Sequence, residues 1–296
     1  MTTLLITGAR GQLGSDLLAA AATAGIAATG VTSADLDITD IAVVRRAVSG
    51  LAESADGQQP VVINAAAYTA VDAAETDSDA AYAVNEGGAR NLAEAAADYG
   101  ARLIHISTDY VFPGDATSPY QVGDPTGPTS VYGASKLAGE HSVLTALPTA
   151  NVVRTSWVYG AGGKNFVKTM AALQSSHPSI TVVDDQRGSP TWTGDLAAGL
   201  IALAQADVGG GILHATGSGE TTWCGLARAV FEELGADPER VQPITTDEFP
   251  RPTPRPAYSV LSADAWNAAG LPVLRPWREA LAMAFAADRS AYLMAG

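Results

Sequence analysis

Residues 4–14 have the sequence Leu-Leu-Ile-Thr-Gly-Ala-Arg-Gly-Gln-Leu-Gly, which combines an apolar run with three evenly spaced glycines. Its apolar start predicts a β-strand, and the three glycines predict a tight turn into a helix that begins near Leu13. Glycines let the backbone approach a phosphate, and the first amides of the helix can bind a pyrophosphate. The spacing Gly-x-x-Gly-x-x-Gly also suits a plain strand–helix turn. We favour a dinucleotide site because the stretch opens a repeating strand–helix pattern.

The first half of the chain continues that pattern. Short apolar runs predict strands, and longer amphipathic runs predict helices between them. We expect strands at residues 26–31, 61–64, 102–107 and 151–155, and helices at residues 41–51, 80–99 and 131–147. This alternation is typical of right-handed β-α-β units. The predicted fold class is therefore α/β, with a doubly wound parallel sheet of the Rossmann type.

The second half of the chain has a different pattern. Predicted helices at residues 166–174, 196–206 and 222–234 are separated by loops rich in glycine and proline. Residues 249–256 contain four prolines and can form neither a helix nor an inner strand. We predict a dinucleotide-binding domain over residues 1–156. Residues 157–296 are expected to form mainly a smaller, mixed α/β substrate-binding domain, with some segments returning to the first domain.

The composition excludes several classes of partner. The 296 residues include 31 acidic and 17 basic ones, for a formal net charge of -14. Sequence-independent binding to nucleic acids or anionic membranes needs a basic face, so we expect neither partner. Cys224 is the single cysteine, and the first residues lack the basic region of a signal peptide. We therefore expect a cytoplasmic protein.

The choice of cofactor depends on the end of the second predicted strand. NAD-selective sites often place an acidic residue there, whereas this chain has Thr32 and Ser33. The guanidinium of Arg10 can bind a 2′-phosphate, although it can equally be a solvated surface charge. We predict NADPH as the preferred cofactor and NADH as the alternative. The residues expected to bind it are Gly8, Arg10, Gly11, Gln12, Leu13, Gly14, Asp37, Ile38, Asn64, Ala65, Ala66, Ala67, Ser107, Tyr132 and Lys136.

Tyr132 and Lys136 form the candidate catalytic pair. They are four residues apart and share one face of a predicted helix. Reduction of a carbonyl needs an acid, and a nearby ammonium lowers the pKa of a phenol from its usual value of about 10. Such pairs also occur by chance on helices, but this chain has only three lysines. Thr108 ends a strand, where its hydroxyl can bind the substrate carbonyl, orient Tyr132, or simply cap the backbone. His105 is expected to be packed within that strand.

Several blocks of sequence carry a family resemblance that covers nearly the whole chain. They are residues 64–72, 107–112, 131–140, 154–159, 184–191 and 251–256. With them the chain resembles the dTDP-4-dehydrorhamnose reductase family of the extended short-chain dehydrogenase/reductase superfamily. The resemblance implies NADPH-dependent reduction of the 4-keto group of dTDP-4-dehydro-6-deoxy-L-mannose, which is the last step towards dTDP-L-rhamnose.

The resemblance also implies the site residues. It makes Thr108, Tyr132 and Lys136 the catalytic set. The implied contacts to the nucleotide sugar are Thr108, Asp109, Tyr110, Trp157 and Arg255. For Trp157, core packing after a strand is the alternative role.

One departure from the family pattern concerns metal binding. Some members bind magnesium with acidic residues at a dimer interface. Here Asp16 is acidic, but Gly194 and Arg278 occupy the other positions. We therefore predict no metal, and either a monomer or a weak homodimer.

Two other functions stay open at this point. One is a nucleotide-sugar epimerase or dehydratase of the same superfamily, which returns the hydride to its substrate. The other is a non-catalytic regulatory subunit of methionine adenosyltransferase, in which the fold persists without turnover.

Overall fold

The computed structural model describes residues 2–293, and its centre is a six-stranded sheet. The strands are β1 (Thr2–Thr7), β2 (Ala27–Val31), β3 (Gln59–Asn64), β4 (Arg102–Thr108), β5 (Asn151–Thr155), β6 (Val158–Tyr159), β7 (Ile180–Val183), β8 (Arg187–Gly188), β9 (Thr191–Trp192), β10 (Gly211–His214), β11 (Thr221–Thr222) and β12 (Val241–Ile244). The order of strands in the central sheet is β10-β5-β4-β3-β1-β2.

Helices connect these strands. They are α1 (Gln12–Thr23), α2 (Ile41–Ser54), α3 (Val71–Ala74), α4 (Ser78–Tyr82), α5 (Ala89–Asp98), α6 (Val131–Ala146), α7 (Phe166–Ser176), α8 (Thr193–Gln205), α9 (Trp223–Glu233), α10 (Asp264–Ala268) and α11 (Trp277–Leu293). A π-helical turn (Ala83–Gly88) joins α4 to α5, and short 3-10 turns cover Asp109–Val111, Pro238–Arg240 and Thr246–Glu248.

All neighbouring strands of the central sheet run parallel. Their register brings the carboxyl ends of β1, β3, β4 and β5 to one edge. Thr7 lies opposite Asn64 in the ladder, and Thr108 lies opposite Thr155. In open α/β sheets, ligands bind outside this edge. The predicted α/β class with a doubly wound parallel sheet is confirmed.

Helices cover both faces of the sheet. Alternate strand residues point to opposite faces, so Ile6 joins a cluster with Leu17 of α1 and Leu200 of α8. Its neighbour Leu5 joins the cluster on the other face, which α2, α5 and α6 cover with residues such as Leu92. Side chains of Leu5 and Ile6 are almost completely buried. The two clusters hold the sheet rigidly enough to position the edge described above.

The second half of the chain contributes to more than one part of the molecule. Strand β10 pairs with β5 in the central sheet, and α8 packs against α1. A separate cluster joins α7, α9 and α11 around Phe231 and Leu281, beside the parallel pair β7–β12. Residues 249–256 form neither helix nor strand, as their prolines predict. The division at residue 156 stays a prediction.

The predicted helix at residues 80–99 contains a feature that the sequence does not reveal. Its middle is the π-helical turn, whose wider backbone packs against α6. A Cβ on Gly139 of α6 would lie only 2.1 Å from the carbonyl oxygen of Asn85. The Asn85 amide donates to Ser135 Oγ at 2.9 Å and its oxygen accepts from the backbone of Tyr68. The π-helical turn therefore ties α6 to the loop after β3.

No helix within residues 2–293 is long and apolar enough to cross a bilayer.

Candidate active site

The glycine turn after β1 is shaped by close backbone contacts. Gly8 has a positive φ of 68°, and a Cβ on it would lie 2.7 Å from the carbonyl oxygen of Ala65. A Cβ on Gly14 would lie 2.1 Å from the carbonyl oxygen of Gly8. Gly11 caps α1 without a side-chain hydrogen bond, so no capping side chain binds the first amides of the helix. This is a cradle for an anion at a helix N-terminus.

A cleft of about 360 Å³ lies beside the glycine turn. Six predicted cofactor-binding residues line it, namely Gly8, Arg10, Gly11, Asp37, Ile38 and Ala66. The other lining residues were not among those predicted to bind the cofactor, namely Thr7, Val31, Thr32, Ser33, Ala34, Leu36, Thr39 and Val84. Most of these follow β2, and their proximity to the turn comes from the β1–β2 pairing. The cleft is large enough for part of a dinucleotide.

The acidic residues near this cleft are bound to their own loop. Asp35 accepts hydrogen bonds from the backbone and the hydroxyl of Thr32 at 2.9 and 2.7 Å. Asp37 makes the same pair of contacts with Thr39. The threonine hydroxyls, followed by the backbone amides, lower the pKa of both carboxyl groups. Arg10 is exposed on the wall of the cleft, where its charge is available to a phosphate.

The start of α6 positions Tyr132. The hydroxyl of Ser130 caps the helix by accepting from the amide of Gly133 at 3.1 Å. A Cβ on Gly133 would lie 2.2 Å from the carbonyl oxygen of Tyr110, so the helix lies directly against the turn after β4. The rings of Tyr110 and Tyr132 consequently meet edge to face, with centroids 5.5 Å apart. Tyr132 thus stands beside the carboxyl end of β4.

Thr108 and Tyr132 form the proton-bearing part of the site. The Thr108 hydroxyl donates to Asp109 Oδ1 at 2.9 Å and accepts from the amide of Tyr110 at 3.2 Å. Burial raises the pKa of Tyr132 to about 12, and the Thr108 hydroxyl opposes that rise. At neutral pH the phenol therefore carries its proton, as a general acid must.

Lys136 corrects one expectation from the sequence. Its ammonium does lie one helical turn after Tyr132, but it donates to the carbonyl oxygen of Ile106 at 2.5 Å. It is 2% exposed, and burial lowers its pKa to about 8 while the Glu140 carboxylate opposes the change. The net shift of the Tyr132 pKa is upward and thus opposite to the expected direction, because burial of the phenol dominates.

Other predicted cofactor-binding residues direct their side chains elsewhere. Leu13 packs in the core, and Gln12 accepts a hydrogen bond from Asn165 at the start of α7. Asn64 is 1% exposed and bonds to Thr7 and His105. Ser107 donates to Glu140, while Ala65 and Ala67 lie half-buried after β3.

His105 is packed, as predicted. It is 1% exposed, and its Nδ1 lies 3.0 Å from the amide nitrogen of Asn64. Burial, with Lys136 nearby, holds the pKa of His105 well below its usual range. A neutral imidazole therefore lies beneath the catalytic edge.

The predicted sugar-binding residues lie around the same edge. Asp109 is 3% exposed, and burial raises its pKa to about 6. Hydrogen bonds from the hydroxyls of Ser259 and Thr108 oppose this rise. Arg255 reaches across to Asp72 of α3, with 2.8 Å between Nη2 and Oδ1. This ion pair fastens the proline-rich segment 249–256 to the loop after β3. The sequence analysis assigned no role to Asp72.

Trp157 has an unusual backbone and a neighbour that the sequence does not predict. Its φ is 46°, in the left-handed region that non-glycine residues rarely adopt. Its indole stacks on that of Trp223 of α9, and a Cβ on Gly188 would lie 2.3 Å from the same ring. A strained residue held by two neighbours is typical of a functional position. The site roles of these residues stay predictions.

The combination of fold and site defines a class of protein. A parallel sheet in this order, a glycine turn at the first helix, and a Tyr-x-x-x-Lys helix at the carboxyl edge belong to the dinucleotide-binding dehydrogenases and reductases. Residues 1–290 match the family described as RmlD substrate binding domain. The chain belongs to this family.

Curated relatives extend over nearly all of the chain. A dTDP-4-dehydrorhamnose reductase of Mycobacterium tuberculosis is 53% identical over 289 residues, which are 96% of this chain and 92% of the relative. A probable dTDP-4,6-dihydroxy-2-methyloxan-3-one 4-ketoreductase of Streptomyces antibioticus is 51% identical over 95% of this chain and 94% of the relative.

A solved structure agrees with the same family. The dTDP-4-dehydrorhamnose reductase of Bacillus anthracis in complex with NADP is 37% identical and superposes with a TM-score of 0.91. The match covers 97% of this chain and 99% of that one. The similarity therefore includes the whole central sheet and the second half of the chain.

A metal site receives no support from the side chains. Within residues 2–293, no group of three or more His, Cys, Asp or Glu residues is placed to hold an ion. Arg278 is paired with Glu232 and Glu233 of α9.

Proposed function

We propose that this protein uses NADPH to reduce the 4-keto group of dTDP-4-dehydro-6-deoxy-L-mannose, giving dTDP-L-rhamnose. The observation that carries the reaction type is the meeting of Thr108, Tyr132 and Lys136 at the carboxyl end of β4. The glycine cradle lies on the same edge of the sheet. The substrate is inferred from the relatives, whose names specify reduction of dTDP-linked keto sugars.

The chain's own residues fit the cofactor. The cradle of Gly8 and Gly11 would hold the diphosphate with backbone amides, and Arg10 would bind the 2′-phosphate. Lys136 would hold the nicotinamide ribose at the end of β4. When bound, NADPH supplies the hydride that the substrate carbon accepts. No residue of the site has to undergo redox chemistry itself.

Tyr132 acts as the general acid. Its phenol is protonated at neutral pH and donates that proton to the carbonyl oxygen as the C–H bond forms. Thr108 donates a second hydrogen bond to the same oxygen and so stabilises its developing charge. Lys136, as a cation four residues along α6, lowers the free energy of the phenolate that remains. The ketone thereby becomes a secondary alcohol.

The sugar and its diphosphate are held by the residues around this edge. Asp109 would accept hydrogen bonds from sugar hydroxyls, and Tyr110 would donate one to them. The Trp157 indole would cover an apolar face of the 6-deoxy sugar. Arg255 would bind the diphosphate after leaving Asp72.

The reductase is favoured over the two alternatives left open by the sequence. The relatives that share half of their residues with this chain are named as reductases, and Thr108, Tyr132 and Lys136 are all present. We place the reaction in the cytoplasm and expect a monomer or a weak homodimer that needs no metal. Because we expect no metal requirement, EDTA should leave the activity unchanged.

Turnover measurements test this function. The wild-type protein is expected to oxidise one NADPH for each molecule of keto sugar reduced. Tyr132→Phe should lower kcat by about 10²- to 10⁴-fold, the usual contribution of a general acid, with little change in the Kd for NADPH. Tyr99→Phe, which changes an exposed tyrosine, is the matched control. Net epimerisation without NADPH consumption, or a fully active Tyr132→Phe, would show the proposal to be wrong.

A further inference from the structure

Three residues of α6 repeat at intervals of four along one face of the helix. They are Tyr132, Lys136 and Glu140, and each contacts the end of β4 or its neighbour β5. Tyr132 lies close enough to the Thr108 side chain for that hydroxyl to lower its pKa, Lys136 donates to the carbonyl of Ile106, and Glu140 accepts from Ser107. The first two carry the proposed chemistry, whereas Glu140 has no role in it.

Glu140 is held unusually tightly for an acidic residue. It is 0% exposed, and Arg154 of β5 binds both of its oxygens, with distances of 2.9 Å from Nε and 2.6 Å from Nη2. The Ser107 hydroxyl adds a third hydrogen bond at 2.5 Å. Ser107 and Arg154 lie opposite each other in the β4–β5 ladder. One carboxylate therefore fixes α6 to two adjacent strands. Its contact on β4, Ser107, lies one residue before Thr108.

A buried ion pair of this kind is costly to form. Removing both charges from water offsets most of their attraction, and apolar residues of similar size often stabilise a fold equally well. The guanidinium of Arg154 also lies over the Phe112 ring, with 4.8 Å to its centroid, and so has no exit to solvent. A carboxylate at this position is thus better explained by what it does to its neighbours.

The neighbour most affected is Lys136. The charged or titratable groups around it are Tyr132 and Glu140 on its own helix, His105 on β4, and Arg154 beyond Glu140 on β5. His105 is neutral and Arg154 is positive. Glu140 is the negative charge of this group, and its carboxylate opposes the burial that lowers the Lys136 pKa to about 8.

We propose that Glu140 is a positioning residue for the reduction: clamped by Arg154 and Ser107, it sets the face of α6 that carries Tyr132 and Lys136 against the sheet edge and places a negative charge one helical turn after Lys136. This role rests on the proposed function, because it acts through Lys136 and Tyr132. Without the carboxylate, Lys136 loses its proton at lower pH and no longer stabilises the phenolate.

The small number of lysines allows a direct measurement. With carbon-13 at the Cε of lysine, the protein has three signals, from Lys136, Lys164 and Lys168. Lys136→Arg assigns the first. We expect Lys136 to titrate near pH 8 in the wild type and at least one unit lower in Glu140→Gln, since an opposite charge at close range shifts a pKa by about 1 to 3 units. The pH at which kcat falls on the alkaline side of its pH profile should decrease by a similar amount.

Further variants separate this role from a purely structural one. Glu140→Gln leaves Arg154 buried without its partner, so Glu140→Gln/Arg154→Gln removes both charges together. Glu140→Asp keeps the negative charge and should restore most of the Lys136 titration. Glu233→Gln breaks a more exposed ion pair, between Glu233 of α9 and Arg278 of α11, and should leave both readouts unchanged.

The outcomes distinguish this proposal from the function on which it rests. A wild-type protein that does not reduce the keto sugar argues against the function, while the Lys136 titration still tests the clamp. Folded Glu140 variants with an unchanged Lys136 titration and an unchanged pH profile would overturn the role of Glu140. If neither the single nor the double variant folds, the carboxylate serves the fold alone and the proposal is wrong.

Discussion

The indole of Trp223 lies flat against the indole of Trp157, with ring centroids 3.5 Å apart and planes 5° apart. Trp157 follows β5 at the carboxyl edge of the sheet, whereas Trp223 is the first residue of α9. The stack therefore joins the edge that carries the proposed catalytic residues to the second half of the chain. It also holds a residue whose backbone is strained, so the position of the Trp157 ring depends on Trp223.

We expect Trp223→Ala to raise the KM for the keto sugar by about 2- to 10-fold, which corresponds to the loss of one aromatic pair. The kcat should change less, because neither indole carries a proton in the reaction. Trp223→Phe keeps an aromatic partner and should restore most of the affinity. Steady-state kinetics with saturating NADPH measure both parameters. An unchanged KM in Trp223→Ala would show that the Trp157 ring, as held by Trp223, does not contribute to binding of the keto sugar.

Arg10 provides a test of cofactor selectivity. Arg10→Ala should lower kcat/KM for NADPH by about 10- to 100-fold, the loss of a charge-assisted contact to the 2′-phosphate, and leave that for NADH nearly unchanged. Arg46→Ala removes an exposed arginine of α2 that does not line the cleft and is the control. Equal losses with both cofactors would argue against contact between Arg10 and the 2′-phosphate.

The raised pKa of Asp109 makes a prediction about stability and pH. Its folded pKa of about 6 lies above its usual value of 3.8, so the native state binds the proton more tightly than the unfolded state does. The group therefore destabilises the fold as pH rises from about 4 to 6, and the full penalty is present above pH 6. Asp109→Asn should raise the free energy of unfolding by about 3 kcal/mol at pH 8 and by much less at pH 4. Denaturant titrations at the two pH values check this, and an equal effect at both would contradict it.

Two glycines form a matched pair of substitutions. A Cβ on Gly14 would lie 2.1 Å from a backbone oxygen of the cradle, whereas one on Gly50 in α2 meets no atom within 4 Å. Gly14→Ala should therefore cost about 1–3 kcal/mol of stability and weaken NADPH binding. Gly50→Ala should stabilise the protein by about 0.5–1 kcal/mol, since it adds helix propensity alone. Thermal unfolding with and without NADPH measures both, and equal responses would rule out the steric explanation.

Much of the fold is predictable because its signals are local. Apolar runs such as residues 61–64 predict strands, and this one ends at Asn64 as expected. The glycine turn likewise predicts the dinucleotide cleft from the sequence alone. Tyr132 and Lys136 follow from helical spacing alone. Thr108 follows from its position at the end of a predicted strand, and the family resemblance adds the substrate.

The remaining features depend on residues that are far apart in the chain. The effect of burial on Tyr132 is invisible in a sequence, and it reverses the expected direction of the pKa shift. Trp223 lies 66 positions after Trp157, and Glu140 is apposed to Arg154 only once β4 and β5 are paired. The side chain of Leu13, which lies inside the glycine motif, packs into the core, and this burial too is set by residues distant in the chain.

The π-helical turn at Ala83–Gly88 has a consequence for changes in chain length. It contains more backbone per turn than an α-helix, so deletion of one residue there allows the helix to close into ordinary α-helical geometry. The helix would stay continuous and its two flanks would keep their relative orientation, whereas the same deletion in a regular helix rotates one flank by about 100° around the axis. Asn85 would then leave Tyr68 and Ser135. The turn thus makes this helix tolerant of a deletion that a regular helix would not accept, but only at the expense of the contact that holds α6 to the site.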